Sequence, residues 1–130
     1  MSGFHPMTAS PPTHRFRLER HKGVLFLRWT DTLSITLGDV QDLTEHLTIM
    51  APENRPLLLV ELDGMVTLSR EAFVLAASLK LSAVACVGSG PVERVLVSHF
   101  GAVHQPPFPV EYFENCARAL TWLQGRALIA

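Results

Sequence analysis

The sequence predicts a single α/β domain, and three observations indicate that class. Residues 57–60 form a short apolar run between Pro56 and a polar turn, which is typical of a strand buried on both faces of a sheet. A helical pattern of apolar residues follows that turn, and the rest of the chain reads as a hairpin followed by helices that alternate with strands. With 130 residues, 48% of them hydrophobic, the chain is long enough for one domain with a substantial core.

The N-terminal third predicts a leader and a hairpin. Residues 1–13 contain prolines and small polar residues without apolar periodicity, so we expect a flexible leader, with the domain covering 14–130. Residues 14–20 alternate apolar and charged side chains, which predicts a half-solvated strand toward the sheet edge. Residues 24–31 are more apolar, and a turn at 21–23 should join the two strands as an antiparallel hairpin.

Two helices are predicted around the central strand. Thr36 and Asp39 have the spacing of a capping box, with Asp in place of Glu. The apolar residues behind them recur at helical spacing: Val40, Leu43, Leu47 and Met50. After the central strand, Ser69 is a good N-cap and Glu71 lies where the helix dipole favours a carboxylate, so a second helix is expected over 69–81.

This second helix has two apolar stripes, where an ordinary surface helix has one. An additional apolar face indicates either deeper burial or a partner surface, and the sequence leaves both open. One stripe consists of Ala72, Leu75, Ala76 and Leu79, and the other of Phe73, Val74, Ala77 and Leu81.

The C-terminal half predicts two further strand–helix pairs. Residues 82–87 read as a buried strand, and Pro91 then fits the first position of a third helix. Backbone N–H groups at Ser89 and Gly90 could bind an anion, but the turn lacks the third glycine of a dinucleotide motif and the lysine of a phosphate loop, so a tight turn is favoured. A strand at 110–113 and a helix from residue 114 or 115 follow. The apolar stripe of the third helix is Val92, Val95, Leu96, Phe100 and Val103.

The composition argues against several classes of protein. Lys and Arg number 11 and Asp and Glu 12, without a basic patch for nucleic acid or a polybasic stretch for membranes. No apolar run approaches the roughly 20 residues that span a bilayer, and no signal-peptide pattern is present, so a cytoplasmic location is expected. Cys86 and Cys116 are too few for a disulfide framework and are expected to be small core residues.

No catalytic residue, metal site or cofactor site is indicated by the sequence. His99 and His104 are the closest useful pair of histidines, but their spacing is not the H-x-x-x-H of a zinc helix. Glu61 and Asp63 follow a buried strand, where solvated carboxylates or a turn cap are the favoured interpretation. A hydrolytic enzyme that uses one of these acids with His99 is therefore the least favoured alternative.

The segment 57–72, LLLVELDGMVTLSREA, together with the element order, resembles the STAS domain of bacterial anti-sigma-factor antagonists, the SpoIIAA-like family. In that family a buried strand ends in an Asp-Leu-Ser/Asp-Gly-Val stretch, to which residues 60–64 are similar. The resemblance covers about residues 15–124. It implies a mixed sheet of about five strands packed with about four helices, and a bacterial, non-enzymatic protein-interaction module.

The resemblance also implies where a partner would bind. Regulated family members carry a phosphorylated serine at the start of the helix after the central strand; alignment on Gly64 places Arg70 there, with Ser69 one residue away, so that switch is not expected. A protein partner, or a second copy in a homodimer, is expected at this turn and helix, with Phe73 as apolar anchor. The alternative is a small-ligand module like the lipid-binding CRAL-TRIO domains, with a pocket between helices and sheet. The expected partner-binding residues are Thr67, Ser69, Arg70, Phe73, Val74 and Ala77.

Overall fold

A computed structural model describes residues 16–29, 34–51, 55–62 and 67–129. The described residues form a five-stranded sheet in the order β1-β2-β4-β6-β7, a separate pair β3-β5, and four α-helices. The expected leader lies outside the described residues. The strands are β1 (Phe16–His21), β2 (Val24–Trp29), β3 (Ser34–Ile35), β4 (Leu57–Glu61), β5 (Thr67–Leu68), β6 (Ala83–Val87) and β7 (Val110–Phe113). The helices are α1 (Leu37–Met50), α2 (Arg70–Ala77), α3 (Pro91–His99) and α4 (Cys116–Ile129).

The sheet is mixed, as the resemblance implies. Strands β1 and β2 form the predicted antiparallel hairpin, and β2, β4, β6 and β7 run parallel to one another. A two-residue loop closes the hairpin, with Lys22 at φ 54° and Gly23 at φ 80°. Because β1 is at the edge of the sheet, its alternate residues Arg17 and Glu19 are exposed while Phe16 is buried.

Helix α1 begins at the predicted capping box. The Thr36 side chain accepts a hydrogen bond from the backbone N–H of Asp39 over 3.3 Å, and the Asp39 carboxylate accepts one from the backbone N–H of Thr36 over 2.9 Å. Two of the N–H groups at the helix start, which have no partner within the helix itself, are thereby satisfied. The predicted apolar stripe of α1 faces the core, with Val40, Leu43 and Leu47 buried.

The sheet has a core on each face, which confirms that the central strand is buried on both sides. Leu58 and Val60 of β4 point into the larger core, beneath α1, α2 and α3. Leu57 and Leu59 point to the opposite face, where Ala119 and Leu123 of α4 cover them. Alternation along a strand sends successive side chains to opposite faces, so one apolar run serves both cores.

Three predictions about the helices were wrong. Helix α2 ends at Ala77 rather than near residue 81, because the chain turns at Ser78, whose backbone N–H bonds to the carbonyls of Leu75 and Ala76. Cys86 is buried as expected, but Cys116 is exposed, since it is the first residue of α4 and lies one turn before the helix meets the sheet.

The third wrong prediction concerns the apolar stripe of α3, which is buried only in part. Helix α3 buries Glu93 and Val97, while Leu96 and Phe100 of the predicted stripe are half-buried against the core. Beyond His99 the chain continues into a π-helical turn, Phe100–His104, which holds more residues than an α-helical turn, so the 3.6-residue spacing does not apply there. Three valines of the predicted stripe are exposed: Val92 by 52%, Val95 by 65% and Val103 by 59%.

Candidate functional site

An apolar cavity of about 110 Å³ lies between the sheet and the helices α1, α2 and α3. The strands β2, β4 and β6 form its floor, and the three helices with the π-helical turn form its walls. The lining residues are Leu27, Trp29, Ile35, Val40, Leu43, Leu58, Val60, Leu62, Phe73, Ala76, Leu79, Leu81, Val84, Cys86, Leu96, Val97, Phe100 and Phe108.

The described side chains that line the cavity are almost all apolar. Among the described residues that line it, the one ionisable side chain is Cys86, and burial raises the pKa of that thiol to about 12. Such a thiol stays neutral at neutral pH, whereas nucleophilic and metal-binding cysteines act as thiolates. The cavity therefore offers van der Waals contact to an apolar molecule and offers it no charge.

Phe73 of α2 lies in the cavity wall at the centre of a cluster of four aromatic rings. Its ring stacks on His104, with centroids 4.9 Å apart and an interplanar angle of 10°, and lies 5.9 Å from Phe100. His99 meets the same ring edge-on at 5.4 Å. Phe73 is 7% exposed, so the side chain expected to anchor a partner on the outer face packs inside the domain instead.

The π-helical turn carries two of these rings, Phe100 and His104, and His99 directly precedes it. It follows α3 directly and ends at Gln105, a non-glycine residue in the left-handed conformation with φ 44° and ψ 61°. A residue in that conformation costs about 1 kcal/mol, and both π-helical turns and such residues are concentrated at functional sites. The sequence at 99–105 contains no signal for a π-helical turn beyond an ordinary mixture of small, aromatic and histidine residues, so periodicity could not find it.

The other residues expected to bind a partner have different environments. Arg70 and Val74 are on the exposed surface of α2, with Val74 57% exposed. Ser69 is half-buried and caps α2, since its side chain accepts a hydrogen bond from the backbone N–H of Ala72 over 3.1 Å. Ala77 is half-buried. The backbone of Thr67 pairs with β3, and its side chain lies outside the described residues.

The carboxyl group of Glu93 already lies beside the turn formed by Ser89 and Gly90. Glu93, in the first turn of α3, is 8% exposed, and its Oε1 lies 3.1 Å from the position a Cβ on Gly90 would take. The positive end of a helix dipole favours such a group, and a bound anion would compete with it for the same place. The Tyr112 hydroxyl donates to the carbonyl of Gly90 over 3.2 Å, which supports the tight-turn interpretation.

The residues of the enzyme alternative have separate partners. Glu61 forms an ion pair with Arg28 of the neighbouring strand over 3.3 Å, while His99 belongs to the ring cluster around Phe73. Asp63 lies outside the described residues. Within the described ranges, no three His, Cys, Asp or Glu side chains are grouped so as to hold a metal ion, and no helix is long and apolar enough to cross a membrane.

Comparison with known proteins places the chain in a family. The family model "Domain of unknown function (DUF7793)" matches residues 16–126. The chain belongs to the DUF7793 family. Comparison of this DUF7793 domain with curated proteins gives no match.

The comparison with solved structures shows the fold. An uncharacterised protein of the DUF3478 family from Shewanella loihica PV-4, described as having a SpoIIAA-like fold, superposes on the DUF7793 domain with a TM-score of 0.61. The two share 20% sequence identity over 91% of this chain and 99% of the other. A protein of unknown function from Arthrobacter sp. FB24 is 26% identical over 82% of this chain and 97% of its own, with a TM-score of 0.32. The SpoIIAA-like fold implied by the sequence resemblance is therefore confirmed.

Proposed function

We propose that this domain is a non-enzymatic, cytoplasmic module that binds a small apolar ligand in the cavity between the sheet and helices α1, α2 and α3. The cavity itself supports the proposal. Protein interiors are usually packed without voids of this size. The side chains that line the cavity of about 110 Å³ lack packing partners on that side, and a well-fitting apolar ligand would supply these contacts.

The volume and the lining limit the kind of ligand. An engineered apolar protein cavity of about 150 Å³ stays dry and binds benzene, so a cavity of 110 Å³ suits an apolar group of about that size or slightly smaller. The two apolar stripes of α2 agree with this, because each contributes a residue to the cavity lining, Ala76 from one and Phe73 from the other. Of the two alternatives that the sequence left open for the additional apolar face, burial therefore applies to Phe73.

Toluene binding tests the proposal. Trp29 lines the cavity and the second tryptophan, Trp122, packs on the opposite face of the sheet, so Trp122→Phe leaves one fluorescent reporter in the cavity wall. We expect toluene to change the Trp29 fluorescence and to raise the melting temperature, since a ligand that binds only the folded state stabilises it. An unchanged spectrum and melting temperature at saturating toluene would contradict the proposal.

A cavity-filling variant and a matched control sharpen that test. Val84 lines the cavity from β6, so Val84→Phe in the Trp122→Phe background should weaken toluene binding at least tenfold. Val95→Phe makes the same substitution on the exposed face of α3 and should bind toluene as the parent does. Equal binding by all three proteins would show that toluene lies elsewhere.

Exposed valines favour a second candidate, the protein-interaction module with a protein partner or a homodimer. Val74 on α2 and Val92 and Val95 on α3 are each more than half exposed. Single exposed apolar residues are normal, whereas several that share one interface would be covered by a partner. Native mass spectrometry separates the candidates: a dimer that Val95→Asp converts to monomer, without loss of toluene binding, would assign the valines to an interface of their own.

A further inference from the structure

The described residues through which the cavity lining reaches solvent lie on α2, on α3 and on the π-helical turn. Among the described residues that line the cavity, Ala76, Leu96 and Phe100 are half-buried, and the others are buried. All three lie on α2, α3 or the π-helical turn, whereas the lining residues from the sheet and from α1 are buried. A side chain that both lines the cavity and reaches solvent marks a place where little protein separates the two. We call this place the mouth.

The four-ring cluster lies at the mouth and has an apolar side and a polar side. Phe73 and Phe100 line the cavity, while His99 and His104 are outside the lining. His99 is exposed, His104 is half-buried, and their ring centroids are 5.8 Å apart. Two phenyl rings therefore face the ligand space, and two imidazoles stand beside each other on the side of the solvent.

The ring nitrogen atoms of His99 and His104 are available for hydrogen bonds to a ligand. Within the described part of the chain, no hydrogen bond or ion pair involves His99 or His104; their contacts are ring contacts with Phe73, Phe100 and each other. Even a neutral imidazole carries one N–H donor. Each imidazole can donate a hydrogen bond to an acidic group at the mouth, whereas the described lining residues are apolar except for the thiol of Cys86.

We propose that the ligand is a short amphipathic carboxylic acid, with its apolar part in the cavity and its carboxylate held at the mouth by His99 and His104. This inference rests on the proposed apolar-ligand function and adds the head group to it. A cavity of about 110 Å³ is too small for the long acyl chain of a membrane lipid, so the acid is a free molecule with a short chain or a single ring.

Hexanoate and 1-hexanol test the head group, because they have the same apolar chain length and differ at one end. In the Trp122→Phe background we expect hexanoate to bind at least tenfold more tightly than 1-hexanol. Replacing both His99 and His104 by Phe keeps rings against Phe73 and removes the nitrogen donors. This double variant should lose about tenfold in hexanoate affinity and keep its affinity for 1-hexanol. The exposed His21 of β1 supplies the matched control, since His21→Phe should leave both affinities unchanged.

The outcomes separate this inference from the proposed function. If hexanoate and 1-hexanol bind with equal affinity, and the double variant changes neither affinity, the head-group inference is overturned. Toluene binding would still support an apolar site in that case. Failure of all three ligands to bind would overturn both proposals.

A second measurement serves if the double variant does not fold. In Cys116→Ser, the remaining thiol is Cys86 in the cavity wall, and hexanoate at the mouth should slow its reaction with N-ethylmaleimide at least fivefold. 1-Hexanol at the same concentration should slow that reaction less. Equal protection by the two ligands would contradict a carboxylate site.

Discussion

Gly88 lies in the connection between β6 and α3, where there is almost no free space around its Cα. A Cβ there would lie 2.7 Å from Cβ of Glu93 and 2.9 Å from the hydroxyl oxygen of Tyr112. The first of these atoms is fixed to a helix backbone and the second is the tip of a rigid ring, so neither can move aside cheaply. Gly88→Ala is therefore expected to destabilise the domain by about 1–3 kcal/mol, as overpacking does elsewhere.

Urea denaturation tests this prediction, with Gly101→Ala as the control. A Cβ at Gly101 would meet nothing within 4 Å, and alanine has the higher helix propensity, so Gly101→Ala should not destabilise the domain and should raise the free energy of unfolding by up to about 1 kcal/mol. Equal denaturation midpoints for Gly88→Ala and the parent would show that α3 shifts away from the turn without cost.

Single residues show the limit of what sequence patterns can predict about burial. Thr36 and Asp39 were predicted as a cap because both partners lie within one turn of the chain. The burial of Phe73 was left open and Cys116 was misplaced, because the surroundings of both depend on other elements: the π-helical turn packs on Phe73, and Cys116 is exposed at the start of α4. A local pattern can predict a local hydrogen bond, but the burial of a side chain depends on the tertiary arrangement.

At the scale of elements, the β1–β2 hairpin is specified by its two-residue turn. Lys22 and Gly23 both have positive φ, 54° and 80°, as the turns that match the twist of a hairpin require. Lysine is strained in this conformation, and asparagine adopts it more readily. We expect Lys22→Asn to stabilise the domain by about 0.5 kcal/mol and Gly23→Ala to destabilise it by about 1 kcal/mol.

The two substitutions serve as controls for each other, because they alter adjacent residues of one exposed turn in opposite directions. A Cβ at Gly23 would meet nothing within 4 Å, so any loss in Gly23→Ala reflects backbone strain alone. Chemical denaturation gives both values. Two changes of the same sign would indicate that the turn relaxes to another conformation.

Elements whose limits are set by local chemistry were predicted, and elements limited by packing were not. The hairpin and the start of α1 follow from alternation, turn residues and capping. The end of α2 does not, because Leu79 and Leu81 stay buried in the connection beyond Ala77 and so extend the apolar pattern past the helix. The π-helical turn was missed for a different reason, because residues 99–105 carry no local signal for it.

At the scale of the whole molecule, the candidate site is assembled from residues that each read as ordinary core. Trp29, Val84 and Phe100, for example, come from β2, β6 and the π-helical turn, and meet at the cavity only in the folded domain. The cavity lies between helices and sheet, where a ligand pocket was predicted from the sequence as the alternative to a partner surface. The sequence could not predict the volume or the mouth, since these depend on how closely α2 and α3 approach each other.

The buried thiol of Cys86 links the stability of the whole domain to pH. Burial raises the pKa of Cys86 from 9.0 to about 12 in the folded state. Below pH 9 the thiol is protonated in both states, so its contribution to stability is fully present. As pH rises from 9 toward 12, the unfolded state releases this proton and the folded state keeps it. The free energy of unfolding then falls by about 1.4 kcal/mol per pH unit because of this thiol.

Urea denaturation at pH 8 and pH 10 tests that linkage. Cys86→Val removes the group, so the variant should lose about 1.4 kcal/mol less stability than the parent between the two pH values. Burial also raises the pKa of Tyr112, which adds a loss of the same sign to both proteins and cancels in the comparison. Cys116→Ser, which removes the exposed thiol, should follow the parent. If Cys86→Val follows the parent as well, water reaches the cavity at high pH and the thiolate forms inside the folded domain.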